Sequence, residues 1–299
     1  MKVRFGIAPI AWTNSDLPEL GSDTTLETCL AESREAGFSG TETGVKFPMD
    51  ATSLRSVLQR FTLELVSGWF SGELLQRSVD QEKDRIEAQL ATFKALGASV
   101  LVYAETTGSV QSRIDAPLSS RPRLAAEQFR GYGRKLTALA EHMAERGVRM
   151  TYHHHMGTVV ETQREINLLM ENTGAAVGLL IDTGHLTYAG ADVLETTRRH
   201  ARRINHVHCK DIRAGILKTA RRNDQSFLRA ILDGVFTVPG DGFIDYYAFA
   251  RVLADIGYEG WAVVEAEQDP VKAPPLEYSR IGLHHLMAAF EAAGFDFVK

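Results

Sequence analysis

At 299 residues, with 44% hydrophobic and 24% charged side chains, the chain has the composition of an ordinary soluble globular protein and a length one large domain can reach. Its formal net charge of -5 excludes a general nucleic-acid binder, which needs a basic surface against the phosphates. Only two cysteines occur, Cys29 and Cys209, so a disulfide framework is excluded and each reads as a reduced thiol.

The opening run Met1 to Ile7 carries an early charge and no long apolar stretch, so it is not read as a signal peptide, and no run approaches a membrane span. A cytoplasmic protein without a membrane partner is expected. The segment Arg198 to Arg203 is locally basic, but on a helix it reads as a solvated face.

In chain order, eight short β-rich runs alternate with helical stretches. The runs are Arg4 to Ile7, Gly40 to Thr43, Leu63 to Gly68, Ser99 to Ala104, Arg149 to His153, Val177 to Asp182, Ile204 to His208 and Trp261 to Glu265. The intervening amphipathic segments are Thr25 to Ala36, Val79 to Leu96, Arg123 to Arg146, Glu161 to Asn172, Asp192 to Ala201 and Tyr246 to Ile256. Glycine closes several of them, at Gly37, Gly97, Gly147 and Gly257, and a β-branched or aromatic run follows. That repeated phrase is the sequence form of a parallel βαβ unit, and eight of them predict a single (β/α)8 TIM barrel over residues 1–299. No GxGxxG or Walker sequence is present. The least regular stretch, about 211–245, reads as an insertion near the barrel mouth, with a helical piece around Ser226 to Leu232 and a shaped loop at Pro239 to Gly242.

Metal-ligand residue types stand where the later strands end. Alternation within Tyr152-His153-His154-His155 puts His153 and His155 on one face and His154 on the other, so His153 is a ligand candidate and His154 a solvated loop histidine. Asp182 closes its apolar run, with His185 placed to fold back across the mouth; an Asx turn or helix cap is the bland reading of that acid. In Ile204 to Asp211, His206, His208 and Lys210 project to one side, with His208 nearest the mouth and His206 one layer deeper. Glu265 and Glu267 share a side of the last strand. A carboxylate buried there needs a cation, which a divalent metal or a salt bridge to Lys210 would supply. Mixed carboxylate and imidazole donors suit manganese, cobalt, zinc or iron.

Taken together, Gly6 to Trp12, Gly40 to Gly44, Tyr152 to Thr158, Asp182 to His185, His206 to Asp211 and Val263 to Asp269 resemble the myo-inosose-2 dehydratase family, within the xylose-isomerase-like superfamily of TIM barrels. The resemblance covers nearly the whole chain. It implies metal ligation by Asp182, His208 and Glu265, while His153 stands where the superfamily carries a glutamate. It implies dehydration of 2-keto-myo-inositol to a trihydroxycyclohexane-dione in inositol catabolism, with manganese or cobalt as the divalent metal, and the family is also associated with glutathione as a cofactor. Within that reading His155, Lys210 and Glu267 are the candidates for proton transfer. Glu42, Lys46 and His185 are candidate substrate contacts, and Trp12 and Trp69 a candidate apolar wall for the ring. The implied partner is a small polyol ketone, with no nucleic acid; a homo-oligomer is compatible with it.

The nearest rival is a sugar or polyol epimerase of the same barrel, which would yield no ultraviolet-absorbing dione. An apurinic endonuclease would need a basic DNA groove, and a non-catalytic barrel would bind substrate without turnover.

Overall fold

The computed structural model describes residues 1–298. Strand β1 (Lys2–Ile7) pairs with β2 (Gly40–Thr41), which pairs with β3, a strand in two pieces at Glu64–Leu65 and Trp69–Gly72. The second piece pairs with β4 (Val100–Glu105), and the order continues through β5 (Arg149–His153), β6 (Val177–Asp182), β7 (Ile204–Cys209) and β8 (Gly260–Val264) back to β1. All of these pairings are parallel, so the sheet closes as an eight-stranded barrel, as the sequence pattern predicts. Strands β5 and β6 fall on their predicted bounds and the others within a few residues. The third run is the exception: the chain leaves ladder geometry between Leu65 and Trp69, although Val66 N still donates to Thr41 O and Val102 N to Gly68 O.

Helices α1 (Leu26–Ala36), α2 (Ala51–Arg60), α3 (Val79–Leu96), α4 (Gln128–Glu145) and α5 (Gln163–Glu171) surround the first half of the barrel. The second half carries α6 (Thr183–Ala189), α7 (Val193–Arg199), α8 (Ala214–Arg222), α9 (Phe227–Leu232), α10 (Tyr246–Asp255) and α11 (Pro275–Ala292). Local chemistry fixes the ends: Ser78 and Thr162 form capping boxes with Gln81 and Glu165, and Gly37 and Gly97 close α1 and α3 in the left-handed region. The sequence pattern as read does not include α2, α6, α8 or α11. Helix α2 follows rule nonetheless, since Asp50 caps it and its buried Leu54, Val57 and Leu58 recur at helical spacing. Among the described residues no helix is long and apolar enough to cross a membrane.

The segment after β7 is more regular than its sequence suggests. A two-stranded antiparallel pair, Asp211–Ile212 with Phe236–Thr237, frames α8 and α9. Met156, Tyr188, Leu217, Phe227, Ile231 and Phe236 bury a second small core there, separate from the main one between barrel and helices. The Pro239 to Gly242 loop is pinned because Gly240 N and Gly242 N both donate to the Asp211 carboxylate.

Candidate metal and acid/base site

A cavity of about 350 Å³ opens at the carboxyl ends of the strands, where barrels of this class place their chemistry. His153, His155, His208, Glu265 and Glu267 line it, with Glu42, Trp69, Asp16 and Gln111.

Four of the predicted residues converge. One ligand atom each from His153, Asp182, His208 and Glu265 lies within 4.8 Å of every other, and all four side chains are buried. Local bonding aims these atoms. His153 Nδ1 is 2.5 Å from the His154 carbonyl oxygen, to which it must donate, leaving an Nε2 lone pair 3.8 Å from Asp182 Oδ2. Asp182 Oδ1 caps α6 by accepting from His185 N at 2.7 Å, so the helix-cap reading of this acid also holds. Its second oxygen, Oδ2, is buried with no hydrogen-bond partner among the described residues and stands 3.7 Å from His208 Nδ1. His208 Nδ1 in turn is 3.0 Å from Glu265 Oε2. Two imidazoles and two carboxylates around an orphaned buried oxygen form a donor set that fits a divalent cation.

Glu42 reaches this centre from behind. Its Oε1 lies 3.1 Å from His208 Nε2, 2.9 Å from His206 Nε2 and 2.5 Å from Ser67 Oγ. It therefore fixes His208 with Nδ1 toward the cluster, the work an outer carboxylate does for a metal-ligating histidine. Burial would raise its carboxyl, but His208 and His206 outweigh burial and hold it below the usual range. The same balance places the His208 imidazole above its ordinary value: burial lowers it, and Glu265 and Glu42 overcome that.

A second cluster adjoins the first. Lys210, fully buried, sets Nζ 2.5 Å from Glu265 Oε1, 2.5 Å from Glu267 Oε2 and 3.0 Å from His185 Nε2. Burial alone would lower its ammonium, yet Glu265, Glu267 and Asp182 hold it above its ordinary value. One ammonium does not neutralise two carboxylates. Glu265 is further stabilised by His208 and falls below the usual range, whereas at Glu267 burial wins and the carboxyl rises to about 8. His155 Nε2 lies 3.9 Å from Glu267 Oε1, while its Nδ1 donates to the Met156 carbonyl at 2.8 Å. Burial, then the Lys210 charge, brings this imidazole down to about 3, so it is neutral at ordinary pH. Phe227 packs on the rings of His155 and His185, and Phe236 lies 4.8 Å from Lys210 Nζ. The insertion thus dries the acid/base cluster. Space is tight as well: a Cβ on Gly184 would fall 2.6 Å from Lys210 Cγ.

Other predicted residues lie elsewhere. Trp12 is buried with its Nε1 donating to Glu32 at 2.6 Å, outside the cavity wall; of the two tryptophans only Trp69 lines it, edge-on to His153 and His155. Lys46 is exposed, lies outside the cavity lining and donates to the carbonyls of Ser22 and Thr24. Glu42 touches the cavity, but its carboxylate is committed to the histidines of β7. His185 stands behind the cavity against Lys210. His154 is buried rather than solvated, pointing away from the mouth, where its Nε2 accepts from Asp182 N at 3.4 Å. Asp16 and Gln111 were not anticipated, because they lie on loops without a local pattern.

A model of the xylose isomerase-like TIM barrel family matches residues 30–289. The chain is 51% identical over 295 residues, 99% of its length and 91% of the relative's, to the rhizopine catabolism protein MocC of Rhizobium meliloti. It is 43% identical to an inosose dehydratase of Geobacillus thermodenitrificans over 93% of this chain and 94% of that one. A solved L-ribulose 3-epimerase superposes with a TM-score of 0.70 at 18% identity, over 97% of this chain and 95% of that one, which is likeness of fold. The chain therefore belongs to the xylose isomerase-like TIM barrel family.

Proposed function

We propose that the protein is a hydro-lyase of inositol catabolism, an inosose dehydratase acting on 2-keto-myo-inositol. The observation that carries this reading is the joint placement of a divalent-cation donor set and a dry His155–Glu267 pair on one polyol-sized cavity. Its support from relatives is the 43% identity to an inosose dehydratase over nearly the whole chain.

His153, Asp182, His208 and Glu265 would hold the cation, with manganese or cobalt as the proposed ions. Bound there, it supplies positive charge against oxygens of the substrate carbonyl. The protons belong to the protein. Neutral His155, with its Nε2 free, takes the hydrogen beside the ketone, and protonated Glu267 gives its proton to the departing β-hydroxyl, which leaves as water. The imidazolium and carboxylate so formed are near neighbours, and return of the proton from His155 to Glu267 restores the starting state. Lys210 does not line the cavity; it holds Glu265 and Glu267 and adds its charge to the burial that keeps His155 unprotonated.

The test is an absorbance assay of chelator-stripped protein with 2-keto-myo-inositol before and after addition of manganese or cobalt. A metal-dependent conjugated dione is the expected product. Absence of product with every divalent metal would refute the reading and favour an epimerase, to be sought as an isomeric polyol ketone.

A further inference from the structure

The proposed chemistry leaves several polar lining groups unused, Asp16 and Gln111 among them. Asp16 lies on the loop between β1 and α1, and Gln111 on the loop between β4 and α4; both line the cavity. Gln111 is only 6% exposed, yet its Oε1 has no hydrogen-bond partner among the described residues. Folded chains rarely carry such an orphan without a use. Burial raises the Asp16 carboxyl above its ordinary value, and the nearby Gln111 amide opposes that rise. Asp16 shares the cavity lining with Glu265 and Glu267.

Both supports are stiff. Asn14 Oδ1 accepts from Asp16 N at 2.8 Å and from Leu17 N at 2.9 Å. The loop closes at Gly21, where φ is +73° and a Cβ would fall 1.7 Å from the Trp12 carbonyl oxygen, so only glycine fits. On the other side Val110 N donates to Gly157 O at 3.0 Å, Arg121 pairs with Glu165 at 2.8 Å, and Ser226 Oγ donates to Ile114 O at 2.6 Å. The β4–α4 loop is thereby clasped to the histidine loop and to the insertion.

We propose that Asp16 and Gln111 form a specificity-determining pair that hydrogen-bonds two hydroxyls of the polyol ring, away from its reacting carbonyl. The inference rests on the dehydratase reading and deepens it. Two polar groups on one cavity select a hydroxyl-bearing ring, and a ring that lacks those hydroxyls leaves both unpaired. The buried carboxylates nearby add a bias against anionic rings.

The experiment compares wild type with Asp16→Asn and Gln111→Met, each loaded with manganese and checked for metal content and a cooperative thermal transition. Dehydration kinetics with 2-keto-myo-inositol are measured beside calorimetric titration with myo-inositol, which has the ring hydroxyls and no ketone. Each variant is expected to lose roughly 10- to 100-fold in kcat/KM, carried chiefly by KM, and about 10-fold or more in myo-inositol affinity. Values within about twofold of wild type in both variants would overturn the pair. If wild type forms no dione with any metal, the dehydratase reading falls and the titration alone decides. Weaker polyol binding in both variants then upholds the pair; equal binding, or none by wild type, overturns it.

Discussion

A single carboxylate oxygen, Glu42 Oε1, lies 3.1 Å from His208 Nε2 and 2.9 Å from His206 Nε2, tying the end of β2 to two rungs of β7 across the barrel. It presents the opposite nitrogen of His208 to Asp182 and Glu265. Glu42→Ala should therefore weaken divalent-metal affinity by roughly 10- to 100-fold while the barrel still folds. Competition against a chromogenic chelator measures this, and unchanged affinity would show that Glu42 does not orient His208.

Glu267 is the group whose ionisation should limit the rate at alkaline pH. Its carboxyl titrates at about 8 in the folded chain, and the proposed step needs its protonated form, so kcat/KM should decline as pH rises through about 8. Glu267→Gln keeps the shape without a transferable proton. It should lower kcat by roughly 10²- to 10⁴-fold and flatten the alkaline limb of the residual rate. A variant with the wild-type profile would remove Glu267 from proton transfer.

Glu105 makes a prediction about stability. At the end of β4, outside the cavity lining, its carboxyl is pushed up by burial to about 7, despite hydrogen bonds from Thr107 N and Oγ1. The unfolded chain ionises this group near 4.5, so between the two values the native state holds the extra proton and stability falls as pH rises. The penalty is absent below the unfolded value and complete above the folded one. Glu105→Gln should stabilise the protein by on the order of 1–3 kcal/mol at about pH 8 and by little at about pH 4. Urea unfolding at the two pH values reads the difference; an equal effect at both would refute the assignment.

Gly184→Ala tests how closely Lys210 is held. The new methyl meets Lys210 Cγ at 2.6 Å and Cδ at 2.8 Å, which displaces the ammonium from Glu265 and Glu267. A loss of about 1–3 kcal/mol in stability is expected from overpacking, with a fall in activity larger than that loss explains. Thermal unfolding beside the dione assay separates the two, and wild-type activity would show that the ammonium position is not critical.

The barrel was legible in the chain because its signals are local. Glycine after four of the six amphipathic segments, capping residues before most of them and an apolar run behind need no knowledge of distant residues, and a parallel sheet buried on both faces makes those runs continuous. Asp182, His208 and Glu265 could be picked out for the same reason: each is a polar residue at the end of a β-rich run, and in a closed barrel every such end faces the same mouth. What required the tertiary structure was the division of labour among them. Local pattern did not say that Glu42 serves His208 rather than a substrate hydroxyl, that Lys46 turns outward to the Ser22 and Thr24 carbonyls, or that His154 lies buried behind the mouth. Nor did it place Asp16 and Gln111, whose loops are held by the Asn14 turn, by the close approach of Gly21 to Trp12 and by the pairing of Arg121 with the distant Glu165. Strand ends are set by short-range periodicity, whereas which oxygen pairs, which is orphaned and which carboxyl keeps its proton depend on burial and on charges brought together from across the barrel.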